Sequence, residues 1–198
     1  MFNKICVIIL LLVTLTGCDI FNPREAEEPL LPQQWNEFFT SWKLTLENLE
    51  YAFEDKRNKD NYLQILTSDF QFEMDDNDAL ALGLQKPYTW LRSAEIELLV
   101  NMHSNLSVSD SVWVIEVGTI DSNEISTDEV EVDIQYEIEK RKGPHDPNAH
   151  IEDPDFVGEA TLIFIEVSGY WELKRWYDIR KDGATNPTWG ILKYEYVQ

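Results

Sequence analysis

The segment EVEVDIQYEIEK, residues 129–140, indicates the fold of this chain more directly than any other. Apolar and polar residues alternate through it, as they do in a strand with one buried and one wet face. The opposite face carries mostly carboxylates. This pattern predicts a strand of an antiparallel sheet. Its apolar positions are Val130, Val132, Ile134, Tyr136 and Ile138.

Further strands are predicted on both sides of this segment. Residues 156–167 are almost continuously apolar, and Ser168-Gly169 has the composition of a hairpin turn before the chain returns. The predicted strands besides residues 129–140 are residues 69–74, 108–119, 156–167, 170–180 and, as a strand or partial turn, 189–197.

Helices are predicted in the first half of the chain. An apolar stripe with 3.6-residue spacing begins at Gln33 and ends at Phe53, a short helix follows near residues 61–66, and Pro87 opens a third helix. Residues 75–78 are acidic but lack the glycine and glutamate of a calcium-binding loop, so we predict a solvated turn. The order of elements predicts an α+β domain with helices against one face of a curved antiparallel sheet.

The N-terminal residues predict where the protein resides. Lys4 precedes a short apolar run and the sequence Leu15-Thr16-Gly17-Cys18, an arrangement typical of a signal peptide and too short for a mature membrane span. These four residues resemble the lipobox of bacterial lipoproteins. The resemblance implies cleavage before Cys18, acylation of that cysteine with fatty acids such as palmitate, and anchoring to a membrane of the bacterial cell envelope outside the cytoplasm. Whether this is the inner or the outer membrane stays open.

This reading divides the chain into three parts. Residues 1–17 form the signal peptide, residues 18–32 the lipidated cysteine with an acidic, proline-containing tether, and residues 33–198 a single domain.

Composition excludes several classes of function. The net charge of −21 repels phosphate backbones, so we predict no nucleic-acid partner, and the lipid must supply the attachment to the membrane. Cys6 lies in the signal peptide and Cys18 is used for lipid, which leaves no cysteine for a disulfide or a zinc site. The three histidines lack metal-ligand spacing, and we predict neither a metal nor a cofactor.

The arrangement of the domain resembles a known superfamily. The first helix, the segment DNYLQILTSDFQF (residues 60–72), a helix opening near Trp90 and the closing segment YWELKRWYDIR (residues 170–180) resemble the nuclear transport factor 2-like proteins. That group includes the ketosteroid isomerases and polyketide-cyclase-like proteins. The resemblance implies a cystatin-like cone, in which the curved sheet wraps around the N-terminal helices and leaves an apolar pocket, and a dimer as a frequent assembly.

The resemblance does not transfer a catalytic site. Tyr51 and Asp75 lie nearest to the positions of the isomerase tyrosine and of the proton-moving aspartate. Asp75 is one residue out of register, which in a strand turns the side chain to the other face. Asp178 is the one late-strand aspartate that suggests itself, and an adjacent cation would keep it ionised. Tyr51 and Asp75 remain the candidates for a catalytic alternative.

Three functions are compatible with these observations. The first is a non-catalytic module that binds an apolar small molecule or docks an envelope protein, and its candidate pocket residues are Trp113, Trp171, Trp176 and Tyr177. The second is an isomerase or cyclase with Asp75 as general base. The third is a structural, dimeric envelope lipoprotein whose pocket is filled by its own side chains. The sequence favours a non-enzyme but does not decide between the first function and the third.

Overall fold

The computed structural model describes residues 32–109, 111–143 and 150–197. Those from Gln33 onward form one compact unit. The predicted signal peptide and the lipidation site Cys18 lie outside the described residues. Within the described part, no helix combines the length and apolarity that a membrane crossing requires.

The described helices and strands alternate in the first half and give way to long strands in the second. The helices are α1 (Trp42–Glu54), α2 (Asp76–Ala81), α3 (Arg92–Ser109) and α4 (Trp189–Val197), with single 3₁₀ turns at Lys56–Asn58 and Tyr62–Ile65. The strands are β1 (Leu66–Glu73), β2 (Thr89–Leu91), β3 (Ser111–Ser126), β4 (Glu129–Lys142), β5 (Phe156–Val167) and β6 (Tyr170–Ile179).

The strands form one curved, open sheet in the order β2-β1-β6-β5-β4-β3. Neighbours are antiparallel except β1 and β6, which run parallel and are joined by a long crossover of helices and strands. The predicted alternation in β4 is confirmed, since its five apolar residues are buried on the face toward the helices. The predicted α+β class, with a curved sheet and N-terminal helices, is confirmed.

The first helix is shorter than predicted. Ser41 has an extended backbone, and its hydroxyl accepts a hydrogen bond from the N–H of Leu44, so α1 begins at Trp42 and not at Gln33. The segment before it lies along β6, where the N–H of Trp171 donates to the carbonyl of Phe39 (3.0 Å). The apolar stripe that predicted one helix therefore belongs to two elements, an extended segment before Ser41 and helix α1 after it.

Three other predictions are corrected. Pro87 opens no helix: β2 follows it, and α3 begins at Arg92. Residues 75–78 are not a solvated turn, because the carboxylate of Asp75 accepts hydrogen bonds from the N–H groups of Asn77 and Asp78 and caps α2. Residues 189–197 form helix α4 and not a strand, for reasons given below.

Candidate functional site

The interior between sheet and helices is occupied by α4. Trp189, at the start of this helix, is fully buried and packs edge-on against three rings. Its ring centroid lies 4.6 Å from that of Trp176, 4.9 Å from that of Phe53 and 5.2 Å from that of Tyr136. The last helix of the domain therefore inserts its largest side chain between α1 and the sheet.

A fully buried ion pair lies one helical turn further along α4. The Nζ atom of Lys193 is 2.7 and 2.9 Å from the two carboxylate oxygens of Glu95 in α3. The same carboxylate accepts hydrogen bonds from the hydroxyl of Tyr62 (2.8 Å) and the indole N–H of Trp90 (2.7 Å). Lys193 and Glu95 both have side chains that are 0% exposed. Such a pair is tolerated only when its partners are fully hydrogen-bonded, as Glu95 is here.

Aromatic rings surround the ammonium group of Lys193. Its Nζ atom lies 3.7 Å from the centroid of Trp176 and 4.3 Å from that of Phe72, distances at which a cation is attracted to the ring face. Burial lowers the pKa of Lys193, and the charge and hydrogen bonds of Glu95 oppose this shift. The lysine is thus held by a carboxylate and two ring faces of its own chain.

A second buried polar cluster connects the sheet to the N-terminus of α4. The hydroxyl of Tyr136 lies 2.6 Å from Oδ1 of Asp178 and accepts the N–H of Trp189 (2.8 Å). The other carboxylate oxygen of Asp178 accepts the N–H of Gly190 (2.8 Å). Tyr136 reaches Asp178 across β5 because Gly158, its cross-strand partner, has no side chain, and a Cβ atom built there would overlap the phenol.

Burial raises the pKa of Asp178 to about 6. Its hydrogen bonds from Tyr136 and Gly190 oppose that shift. Arg175, the cation that the sequence suggested as the partner of Asp178, donates to the carbonyl of Asp69 (2.7 Å). The guanidinium of Arg180 forms an ion pair with the buried Asp78, whose other oxygen accepts the hydroxyl of Thr188 (2.6 Å).

Carboxylates also gather where α1 lies against β3. Glu54 accepts the N–H of Ile115 (3.0 Å) through Oε1. Burial, followed by the charges of Glu54, Glu47 and Glu116, raises the pKa of Glu50 to about 8. Burial also raises the pKa of Glu54 to about 7. Metal ions prefer convergent carboxylates, but no group of three potential ligands with suitable geometry occurs among the described residues.

A hollow of about 270 Å³ lies over β3 and β4. Gly118 and Gln135 are cross-strand partners there, and Glu116 and Glu137 form the next such pair on the same face. Lys181 completes the polar part of the lining. The hollow therefore has a mixed-charge, polar lining.

The fold is similar to the folds of several solved structures. A proposed scytalone dehydratase from Novosphingobium aromaticivorans superposes with a TM-score of 0.51 at 15% identity, over 74% of this chain and 89% of that one. The β subunit of a proposed aromatic-ring-hydroxylating dioxygenase from the same organism gives 0.50 at 12% identity, over 71% and 87%. A nuclear transport factor 2-like protein from Cytophaga hutchinsonii gives 0.45 at 14%, over 69% and 93%.

The domain shares with the first two of these structures its fold, a curved, open sheet with N-terminal helices. No protein-family model matches the sequence, and no significant match was found among curated proteins. At these identities the fold is what the two Novosphingobium proteins share with this chain, and the activities proposed for them differ from one another.

The four residues predicted to line a pocket are not brought together. Trp176 is fully buried in the interior beside Lys193, whereas Tyr177, the next residue in β6, is exposed on the opposite face of the sheet. Trp113 is buried near the start of β3 against Phe156, and Trp171 is half-buried at the start of β6. Only Trp176 contacts the cluster around Lys193.

The two residues of the catalytic alternative lie on different elements, Tyr51 on α1 and Asp75 at the start of α2. The carboxylate of Asp75 caps α2 and also accepts the N–H of Arg180 (3.1 Å). Tyr51 is half-buried on α1, and burial, reinforced by Glu47, raises its pKa. The hydrogen bonds of the Asp75 carboxylate therefore go to backbone groups of α2 and of Arg180.

Sequence reasoning missed the interior residues Glu95, Lys193 and Trp189. One signal was present: Lys193 stands among apolar and aromatic residues in WGILKYEYV, where a lysine needs a partner if the segment is buried. The partner Glu95 lies 98 positions earlier, and no local pattern connects the two.

Proposed function

We propose that the protein is a lipid-anchored envelope protein whose domain is a non-catalytic assembly module that docks another envelope protein. The observation that carries this proposal is the insertion of α4 into the interior of the cone. In this fold the pocket between helices and sheet is where a ligand would bind. Here Trp189 and Lys193 occupy that volume.

The state of the buried acids also argues against catalysis. A general base must lie within hydrogen-bond reach of a proton on a substrate. The carboxylates of Asp178 and Glu95 are buried, and their hydrogen bonds go to groups of the same chain. Asp75, the base of the catalytic alternative, is engaged by three backbone N–H groups.

Binding of a small molecule is the second candidate, and the hollow over β3 and β4 favours it. At about 270 Å³ it is just below the range of about 300–1,000 Å³ typical of ligand pockets. Glu116, Glu137 and Lys181 suit a small polar solute and not the apolar molecule that the sequence suggested.

The proposed membrane anchoring is based on Leu15-Thr16-Gly17-Cys18 and the apolar run before it. A lipid anchor on Cys18 would keep the domain at a membrane surface, where a partner in the same membrane is met at high effective concentration. As a flexible coil, a tether of 14 residues, counted from Asp19 to Pro32, would have a root-mean-square span of roughly 20 Å.

Native mass spectrometry of the full lipidated protein, extracted from its own envelope in mild detergent, tests this function. We expect the mass of the processed, acylated chain, alone or with a second protein bound, and no small-molecule adduct. A reproducible adduct that survives mild activation would overturn the non-catalytic assembly role in favour of a binding protein or an enzyme. Photo-crosslinking from the exposed Tyr177 position, before extraction, then identifies the neighbour.

A further inference from the structure

Strand β3 has a free outer edge over its second half. It is the last strand of the sheet order and pairs only with β4 in the part of the chain that the structure describes. Its first half is covered, since Glu54 of α1 accepts the N–H of Ile115. From Thr119 to Ser126 every residue is exposed.

The free edge carries a backbone donor that is not used in pairing with β4. The N–H of Ser122 donates to the carboxylate of the preceding residue, Asp121 (2.8 Å), and therefore points away from β4. A strand edge with outward N–H and C=O groups is a template for pairing with another extended segment. The carboxylate of Asp121 accepts this N–H at the position where a backbone carbonyl of a partner strand could accept it instead.

Two isoleucines border this edge. The β3–β4 register shifts between Thr119 and Asp121 and again between Glu124 and Ser126, which leaves Ile120 and Ile125 without partners in β4. Their side chains are 54% and 52% exposed. The regular edge of residues 121–124 thus has an exposed apolar side chain at each end.

The charge of the β3–β4 hairpin indicates which kind of partner segment could pair with the edge of β3. From Ser111 to Glu139 there is no lysine, arginine or histidine, and the nine acidic residues are Glu116, Asp121, Glu124, Asp128, Glu129, Glu131, Asp133, Glu137 and Glu139. A second copy of this edge would bring like charges together, which is destabilising. An extended segment with basic residues at alternate positions is complementary to it.

We propose that residues 119–126 of β3 form a docking edge for a cationic, extended segment of a partner protein, which adds to the sheet as a further strand. This inference rests on the proposed assembly function and specifies its surface and the chemistry of its partner. Backbone hydrogen bonds would supply the pairing, and the acidic hairpin would supply the preference for basic side chains.

A synthetic decapeptide of alternating lysine and valine, with blocked ends, is the probe. Binding to the full chain is measured by calorimetry at low and at physiological salt, and amide hydrogen exchange is followed by mass spectrometry. We expect saturable binding and slowed exchange confined to residues 119–126. The matched control peptide has the same charge but a proline at two central positions, which removes two of its central N–H donors.

Variants of the chain separate pairing from charge. Ser122→Pro removes the outward N–H while leaving the pairing with β4, and Ser122→Ala keeps it. Glu124→Lys with Glu131→Lys reverses charge at the edge, and Asp60→Lys with Glu97→Lys reverses it at exposed positions elsewhere. We expect Ser122→Pro and the edge reversal each to weaken binding about tenfold or more, and the two controls to stay within about threefold.

Three results would overturn the docking edge. Equal binding of the proline peptide, with exchange unchanged at residues 119–126, would mean undirected charge attraction. Undirected charge attraction would also be the conclusion if the edge reversal and the control reversal weakened peptide binding equally while Ser122→Pro bound the peptide normally. Absence of binding at low salt would mean that the charges only keep this edge from pairing. None of these outcomes bears on the mass-spectrometric test of the assembly function, so the two proposals fail separately.

Discussion

At the scale of single residues, the interior depends on two charged side chains that have no contact with water. Moving an ion into an apolar interior is costly, and the attraction between Lys193 and Glu95 offsets this only while both are present. The hydrogen bonds from Tyr62 and Trp90 hold Glu95 in the orientation that the lysine requires. The pair fixes where α4 lies more than it adds to stability.

Removal of one partner is therefore expected to be severe. Lys193→Met leaves the carboxylate of Glu95 buried beside an apolar side chain, and we expect the free energy of unfolding in urea to fall by about 3–5 kcal/mol. The double variant Glu95→Gln with Lys193→Met removes both charges and should recover more than half of the loss. If the double variant loses the sum of the two single losses, the ion pair is not the coupled unit described here.

Gly158 is the second residue with a specific requirement. Gly158→Ala places a methyl group where the phenol of Tyr136 crosses β5, so we expect a loss of about 1–3 kcal/mol in urea unfolding. Gly118→Ala is the control, because its nearest neighbour is the flexible side chain of Gln135 at 3.3 Å. Equal losses for the two substitutions would contradict the close approach of Tyr136 to Gly158.

At the scale of elements, α4 is a short helix that depends on tertiary contacts. Nine residues are too few for a stable isolated helix in water. Trp189→Ala removes the side chain that fits between α1 and the sheet, and we expect a cost of about 3–5 kcal/mol in urea unfolding. Glu195→Ala, at an exposed position of the same helix, should cost less than about 0.5 kcal/mol. Comparable losses of unfolding free energy for both variants would contradict the placement of α4 in the core.

The contact between α1 and β3 predicts a dependence of stability on pH. The pKa of Glu50 is about 8 in the folded protein and about 4.5 when exposed, so the folded state holds this proton more tightly. Its stabilising contribution is complete below pH 4.5 and is lost as the pH rises to 8. Urea unfolding between pH 5 and 8 should show a decline that Glu50→Gln reduces and Glu37→Gln, at an exposed position, does not. A decline that Glu50→Gln leaves unchanged would contradict this assignment.

The helices and strands differ in how well they can be predicted from the sequence. Strand β4 was predictable because alternation is a local property and each buried residue on its inner face contributes to it. Helix α4 was not, because Trp189, Ile191, Tyr194 and Val197 are residues of high strand propensity, and packing in the interior overrides that preference. The start of α1 was hidden by the apolar residues before Ser41, which pack on β6 in extended form.

At the scale of the whole molecule, the predicted lipid anchor is testable by itself. We expect the full chain to incorporate an alkyne-labelled fatty acid in bacterial cells and to partition into detergent. Cys18→Ser should abolish labelling and leave the chain unprocessed, whereas Cys6→Ser should label normally. Labelling of the Cys18→Ser variant, measured by in-gel fluorescence, would contradict lipidation at this site.

The whole fold could be predicted from the sequence, whereas the interior cluster around Lys193 could not. The order of elements restricts the topology, so helices followed by long strands indicate this cone. The interior cluster joins residues 62, 90, 95 and 193, and each taken alone is an ordinary residue in its own segment. The predicted pocket residues were chosen for aromatic character, which does not distinguish the inner face of β6, with Trp176, from the outer face, with Tyr177.

The position of α4 in the chain also determines when the cone can become compact during synthesis. A nascent chain emerges in sequence order, and β1 must wait for β6 before it gains its parallel neighbour. Even then Glu95 would be buried without its cation until Lys193 has emerged. We therefore expect a chain truncated before Trp189 to be a degradation substrate instead of a smaller stable domain.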